Sequence, residues 1–333
     1  MNIKKMTKSV EFWVFIIITL LSVLIHLKSG LFFTNNNIVD IMRSMIVPSI
    51  YALCAFLAFI STGPDVSFPL VGALSSYLAI IITNLLGGNL PWIVIYIIAI
   101  AFGCLMGFLN GYIIVKFKFS SLIVTLGTTS MFSGILLGAF EAERMDLPTN
   151  LHAFGTQVLL SVQNKETGLG ATLPMAFLIM VVLYIIVYFV LNYTIVGRGI
   201  YAIGGDEISA ERAGFDVSKI RIGIFVFNGA LAAIGGMTYA VLSLRYLPTE
   251  YAGAEMVVIA AVILGGTRIM GGIGTLKGCI LGTLLLNMVT NSLILVGISV
   301  YWQKVFIGAI IIIGTAIPAL QVFMKSRKSS EVA

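Results

Sequence analysis

The ionisable side chains of this sequence gather in one internal run, TIVGRGIYAIGGDEISAERAGFDVSKIR at 194–221, and are thinly spread through apolar stretches elsewhere. In that run Asp206 has the type and position of a helix N-cap, and Gly214 is a natural C-terminal stop. Glu207, Glu211 and Arg212 fall on the polar side of the turns between them, and Ile208 is expected to supply an apolar contact. Gly204 and Gly205 are expected to break the preceding segment. A helix of about two turns is marginal alone in water, so it must dock to persist. Such an element offers recognition, of its own helices or of a partner's groove. An ordinary loop is the plain alternative, but glycines alternating with Ile200, Tyr201, Ala202 and Ile203 describe a shaped element.

Outside the run, Asp65, Glu255 and Arg43 are the ionisable groups near or within apolar spans. Intramembrane acids and unwound helices are the usual means of coupling an ion gradient. Asp65 follows Gly63-Pro64, where a helix must break, and fits that role or a cap for the next span, whose start tolerates Pro69. Glu255 also fits an early-turn acid at the positive end of a helix. Asn110, Asn287, Asn291 and Gln303 can line a path or join helices. The Gly-rich GGTRIMGGIGTLKG at 265–278 does not encode a phosphate-cradling loop, because Lys277 follows Leu276 and precedes Gly278. There is no HExxH, and His26 and His152 are the only histidines. Cys54, Cys104 and Cys279 sit singly in apolar runs as small packing residues. Neither a metal, a bound cofactor nor enzymatic chemistry is expected of this chain.

The elements that must position these residues are membrane spans. Of 333 residues, 59% are hydrophobic and 10% charged, with a mean hydropathy of +1.06. Soluble domains carry about 25% charged residues. An all-α, polytopic protein is expected, since barrel strands would alternate over about ten residues. The spans are 11–27, 38–60, 67–86, 91–115, 120–140, 171–193, 220–243, 252–265, 276–296 and 302–322, about ten in one transmembrane domain over 1–333. The eighth is short and Gly-flanked, hence tilted, broken or re-entrant. His26–Gly30 is a poor cleavage site, so the first span is expected to be retained.

Charge orients the spans. With the N-terminus inside, Lys4, Lys5, Lys8, Lys116, Lys118, Arg198, Arg212, Lys219, Arg221, Arg268, Lys277, Lys325, Arg327 and Lys328 are cytoplasmic. Lys28, Arg43, Arg144, Lys165, Arg245 and Lys304 are then external, fourteen against six, the bias of cytoplasmic loops. Both termini are expected inside, and the net charge of +6 reflects this bias rather than nucleic-acid binding. The outer loop at about 141–170 is long enough for a small cap or a passive loop. Gly103, Gly107 and Gly111, then Gly134 and Gly138, then Gly278 and Gly282 give smooth faces for close helix packing.

GRGIYAIGGDEISAERAGFDVSKIR resembles the cytoplasmic signature of the permease subunits of bacterial ABC importers for simple sugars, in the branched-chain-amino-acid-like permease superfamily. NGYIIVKFKFSSLIVTLGTTSMFSG at 110–134 and EMVVIAAVILGGTRIMGGIGTLKGCILGTLL at 255–285 resemble two further motifs of the ribose-, xylose- and galactose-type members, in the same order. TGPDVSFPLVG at 62–72 keeps Asp65 and Ser67 but loses the relatives' double Gly and gains prolines. The resemblance implies a dimeric pore, with a second permease subunit, a partner ATPase that uses ATP and Mg, and an external solute-binding protein. It makes the 198–214 element the coupling helix, carried most directly by Gly197, Arg198, Gly204, Gly205, Ala210 and Gly214, with Asp206, Glu207, Glu211 and Arg212 beside them. Asp65, Ser67, Asn110, Thr125, Glu255, Asn287 and Asn291 become the candidate translocation path. The implied cargo is a simple sugar or sugar-like solute crossing a bacterial cytoplasmic membrane. A nucleoside-specific relative and an ion-coupled secondary carrier resting on Asp65 or Glu255 are the alternatives.

Overall fold

The computed structural model describes residues 10–61, 63–163 and 170–302, with isolated positions at 305, 308, 309 and 312. Its helices are α1 (Val10–Ser29), α2 (Asn35–Ser44), α3 (Ile46–Ser61), α4 (Phe68–Leu85), α5 (Trp92–Phe117) and α6 (Ser121–Gly134), the last continued by a π turn at Ile135–Ala139. After these come α7 (Thr149–Gly155), α8 (Phe177–Tyr193), α9 (Ile195–Gly205), α10 (Glu207–Arg212), α11 (Val217–Ser243), α12 (Ala254–Leu264) and α13 (Leu276–Leu295). Four short strands accompany them. β1 (Met145–Asp146) pairs antiparallel with β4 (Arg245–Tyr246), and β2 (Val158–Gln163) with β3 (Gly170–Pro174).

Six helices are long and apolar enough to cross a membrane, or eight spans if each bent pair counts as one. The expected ten are therefore not found among the described residues. The eighth segment is an 11-residue helix, α12, too short to span. The tenth, 302–322, lies almost wholly outside the described residues, as do Gln303 and the terminal lysines. The second span is α2 plus α3, bent by 42°. Pro48 sits in the first turn of α3, where its missing N–H would otherwise have bonded back into α2, so the ladder cannot run on unbroken. The sixth starts later than expected, because 170–174 form β3 and the helix begins at Phe177.

α3 is the centre of the bundle. Every residue from Ile46 to Ser61 is buried except the half-buried Pro48, and α4, α8, α9, α11, α12 and α13 surround it. A helix apolar all round is stable in such a position and nowhere wetter. The most extensive pairing is between α5 and α11. Gly103 meets the backbone of Gly229, and Gly107 the carbonyl of Phe225, so a methyl on either glycine would enter the opposite backbone. The Gly278–Gly282 face works alike against Gly265 and Ala261 of α12. Gly134 and Gly138 have no such neighbour among the described residues, which do not supply the close packing expected of them.

The chain turns define two ends. At the lower end lie α9, α10 and the ends of α3, α5 and α11. At the upper end the 141–163 region is structured rather than a bare loop. Phe154 of α7 stacks on Trp92 at 4.1 Å, Gly155 seats on Val241, and β1 is tied to β4.

Candidate functional site

The 194–221 run builds the lower end from local chemistry. Thr194 starts α9, its hydroxyl accepting from the Gly197 N–H at 3.1 Å. α8 and α9 meet at 76°, and Gly197 lies against the Val190 and Leu191 backbone in that corner. The helix then runs through Gly204 and Gly205, contrary to the expected break there. The break falls at Asp206, with φ −158° and ψ 115°. Gly204 is needed for another reason. It packs on the Ile60 carbonyl at the end of α3 and on the Gly272 N–H, and Gly272 itself donates to Ile60 at 3.2 Å. Tyr201 donates to the Gly274 carbonyl at 3.1 Å, closing the seam between α9 and the 265–275 segment.

Asp206 caps α10 as expected, accepting from the Ser209 N–H at 2.6 Å. Hydrogen bonds from the Ser209 side chain and backbone hold its carboxyl below the usual carboxylate range. A depressed folded-state pKa contributes stability above the unfolded value near about 3.9, lost as pH falls through the folded one, so the cap is fully formed at neutral pH. Gly214, at φ +89°, ends the helix, with Phe215 N–H bonding back to the Ala210 carbonyl at 3.2 Å. Ala210, Ile203 and Val217 are buried together beneath α10. Ile208 is 61% exposed, so the apolar contact expected of it is not made within the described residues, and the face of α10 turned to the bundle is set by the small Ala210.

Glu207 forms a two-pronged ion pair with Arg221 of α11, at 2.9 and 2.7 Å. Arg198, Glu211 and Arg212 are exposed and make no ion pair among the described residues. Arg221 was visible in the sequence only as one more cytoplasmic charge. Its partnership with Glu207 spans a turn and could not be read from spacing.

Directly above, the unwound segment 63–67 collects four of the expected path residues. Asp65 Oδ1 accepts from the Ser67 N–H at 2.8 Å and the Ser67 hydroxyl at 2.7 Å. Asn110 donates to Ser67 Oγ at 2.9 Å, and the Val66 N–H donates to Thr125 Oγ1 at 3.3 Å. Asp65 thus caps a turn, with Pro69 in the first turn of α4. Asn228 of α11 lines the same small void and donates to the Cys54 carbonyl at 3.0 Å. It is an amide in an apolar helix, the signal that singled out Asn110, and was overlooked. Asn110 Oδ1 and Asn228 Oδ1 are buried without a hydrogen-bond partner among the described residues.

The other three candidates lie apart. Glu255 accepts from the Gly253 N–H at 3.1 Å and sits in the first turn of α12. Asn291 joins Ser44 of α2, and Asn287 is half-buried on α13. Below the unwound segment, a cavity of about 690 Å³ opens among Gly63, Pro64, Lys118, Ser121, Glu207 and Arg221. Among the described residues no three His, Cys, Asp or Glu side chains converge to hold a metal.

Apolar helices around a buried polar break, with a capped charged element at one end, define a polytopic helical membrane protein. The family described as branched-chain amino acid transport system / permease component matches residues 37–315, and the chain belongs to it. It is 30% identical over 304 residues to the ribose import permease protein RbsC of Escherichia coli (strain K12), covering 89% of this chain and 91% of that one. It is 31% identical to the probable ABC transporter permease protein YphD of the same strain, over 91% and 87%. It is also 27% identical to the autoinducer 2 import system permease protein LsrC of Yersinia pseudotuberculosis serotype O:3 (strain YPIII), over 86% and 78%.

Proposed function

We propose that this chain is the non-catalytic, membrane-spanning subunit of an ATP-driven importer, and that it carries a simple sugar or sugar-like solute. The observation that supports this most is similarity, over 86–89% of the chain, to import permeases for ribose and for autoinducer 2. In this reading α10 is the coupling helix. Its exposed face (Ile208, Glu211 and Arg212) seats in an ATPase subunit that binds ATP and Mg, while its buried residue Ala210 packs with Ile203 of α9 and Val217 of α11. A second permease subunit completes the pore, and an external binding protein delivers the solute at the upper end. The lower end is cytoplasmic, both termini lie on that side, and the membrane is a bacterial cytoplasmic one.

The unwound 63–67 segment, with Asp65, Ser67, Asn110 and Thr125, is the polar constriction of the path, closed in this conformation. Asp65 is 3% and Asn110 1% exposed, so solute passes only when the helices around them part. A movement of α10 reaches this segment by two rigid routes. One is the Gly204–Ile60 seam into α3; the other is the Glu207–Arg221 pair into α11. Reconstitution with the ATPase subunit and binding protein tests the reading. Uptake of a labelled monosaccharide that requires ATP is the expected result. Uptake without an ATPase subunit, driven by a proton or sodium gradient, overturns it. Uptake confined to nucleosides would reassign the cargo.

A further inference from the structure

We propose that the cavity of about 400 Å³ at the upper end, between α2, α3, α11 and α12, is a binding site for one neutral sugar-like ring. This rests on the transport reading above and adds to it a location and a selectivity. The volume falls in the range of small-molecule sites, about 300–1,000 Å³. Tyr51, Tyr239 and Tyr251 supply aromatic walls, and Asp40, Arg43 and Glu250 supply charged ones. A sugar ring has two surfaces that need different partners. Its C–H face packs on aromatic rings, and its hydroxyl edge bonds to carboxylates and guanidinium groups. Few other small solutes need both within one cavity.

The polar groups divide into fixed and free. Glu250 is held by Arg245 at 2.7 Å and by the Tyr239 hydroxyl at 3.1 Å, so the Tyr239 ring and the carboxylate are oriented together. Asp40 and Arg43 are exposed and have no hydrogen bond or ion pair among the described residues, which leaves an acceptor and a donor for hydroxyls. Of the lining charges, Arg43 is offset by Asp40 beside it and Glu250 is paired by Arg245 from outside the lining, so no surplus cation is left to attract a phosphorylated sugar. A lipid chain would use the rings and leave Asp40 and Arg43 without a hydrogen-bonding partner. The floor is Tyr51, whose ring packs on Phe68 at 5.3 Å. Phe68 follows Ser67, so the pair separates this cavity from the Asp65 segment below. The site is where solute would wait before the constriction.

The test uses the full-length chain in lipid nanodiscs, with saturation-transfer NMR of D-ribose, D-xylose, D-galactose and ribose 5-phosphate. At least one neutral sugar should bind and the phosphate should not. Tyr239→Ala and Asp40→Asn should each weaken that binding roughly tenfold, about 1.4 kcal/mol, while Tyr239→Phe keeps the ring contact and loses less. Retained ATPase-subunit association shows that the variants are folded. Binding and ATP-driven uptake unchanged in Tyr239→Ala and Asp40→Asn overturn the site and leave the transport reading standing. Nanodisc lipid filling the cavity with no sugar bound, alongside normal sugar uptake, does the same. Absence of both binding and ATP-driven uptake of any neutral sugar brings down both.

Discussion

Under the proposed function, Gly204 is the residue on which the tie between α9 and α3 turns. Its α-carbon faces the Ile60 carbonyl near the end of α3 and the Gly272 N–H, so any side chain must separate α9 from α3. Gly204→Ala is expected to cost about 1–3 kcal/mol of packing at that seam. The number of solute molecules imported per ATP hydrolysed should fall in proteoliposomes, with insertion intact. At Asp65, the Ser67 bonds need an oxygen acceptor rather than a charge. Asp65→Asn should keep the melting temperature, whereas Asp65→Ala should lower it by an amount reflecting about 1–3 kcal/mol for orphaned buried donors. Capping residues such as Asp206 and Gly214 were legible because their chemistry acts within a few residues. The need for Gly204 was not, because the atom it avoids belongs to Ile60.

Among elements, α10 is joined to α11 by Glu207 and Arg221, half-exposed and quarter-exposed respectively, so the pair is worth about 1 kcal/mol or less. Its importance is geometric. Glu207→Arg should loosen the tie and lower coupled uptake, and adding Arg221→Glu should restore part of it. Failure of the double variant to recover would mean that the pair does not link the two helices. The glycine stripes of α5 and α13 were readable as packing faces, since regular spacing is a one-dimensional signal. Gly134 and Gly138 share that spacing and face nothing close, so spacing states what a face permits without saying whether a partner arrives. The 42° bend between α2 and α3 was not legible, since 38–60 reads as one apolar span and a proline in a first turn is compatible with a straight entry.

For the whole molecule, membrane class and family were legible in composition and three ordered motifs, while the number of spans was not. Short apolar helices such as α12 read in the sequence like a span at about half its length. The polar path residues were recognisable one by one as misfits in apolar helices, but their assembly joins positions 43 and 59 residues apart. The tyrosine-lined cavity left no trace, because rings are common throughout a chain with 12 Tyr and 21 Phe. The proposed sidedness rests on charge alone and is directly measurable. A cysteine placed at Ser209 should react with an impermeant maleimide only from the cytoplasmic side, and one at Asn89 only from outside. The reverse pattern would invert the topology.

The closed packing around Asp65 has a consequence for the cell that makes the protein. Subunits of a multi-part machine are seldom produced in perfect ratio, and a surplus of this one must sit in an energised membrane without its motor. With the turn at 63–67 covered by Phe68 above and bonded to Asn110 and Thr125 at its sides, the described residues leave no room for a water molecule beside Asp65. Overproduction should therefore be tolerated without dissipating the proton motive force.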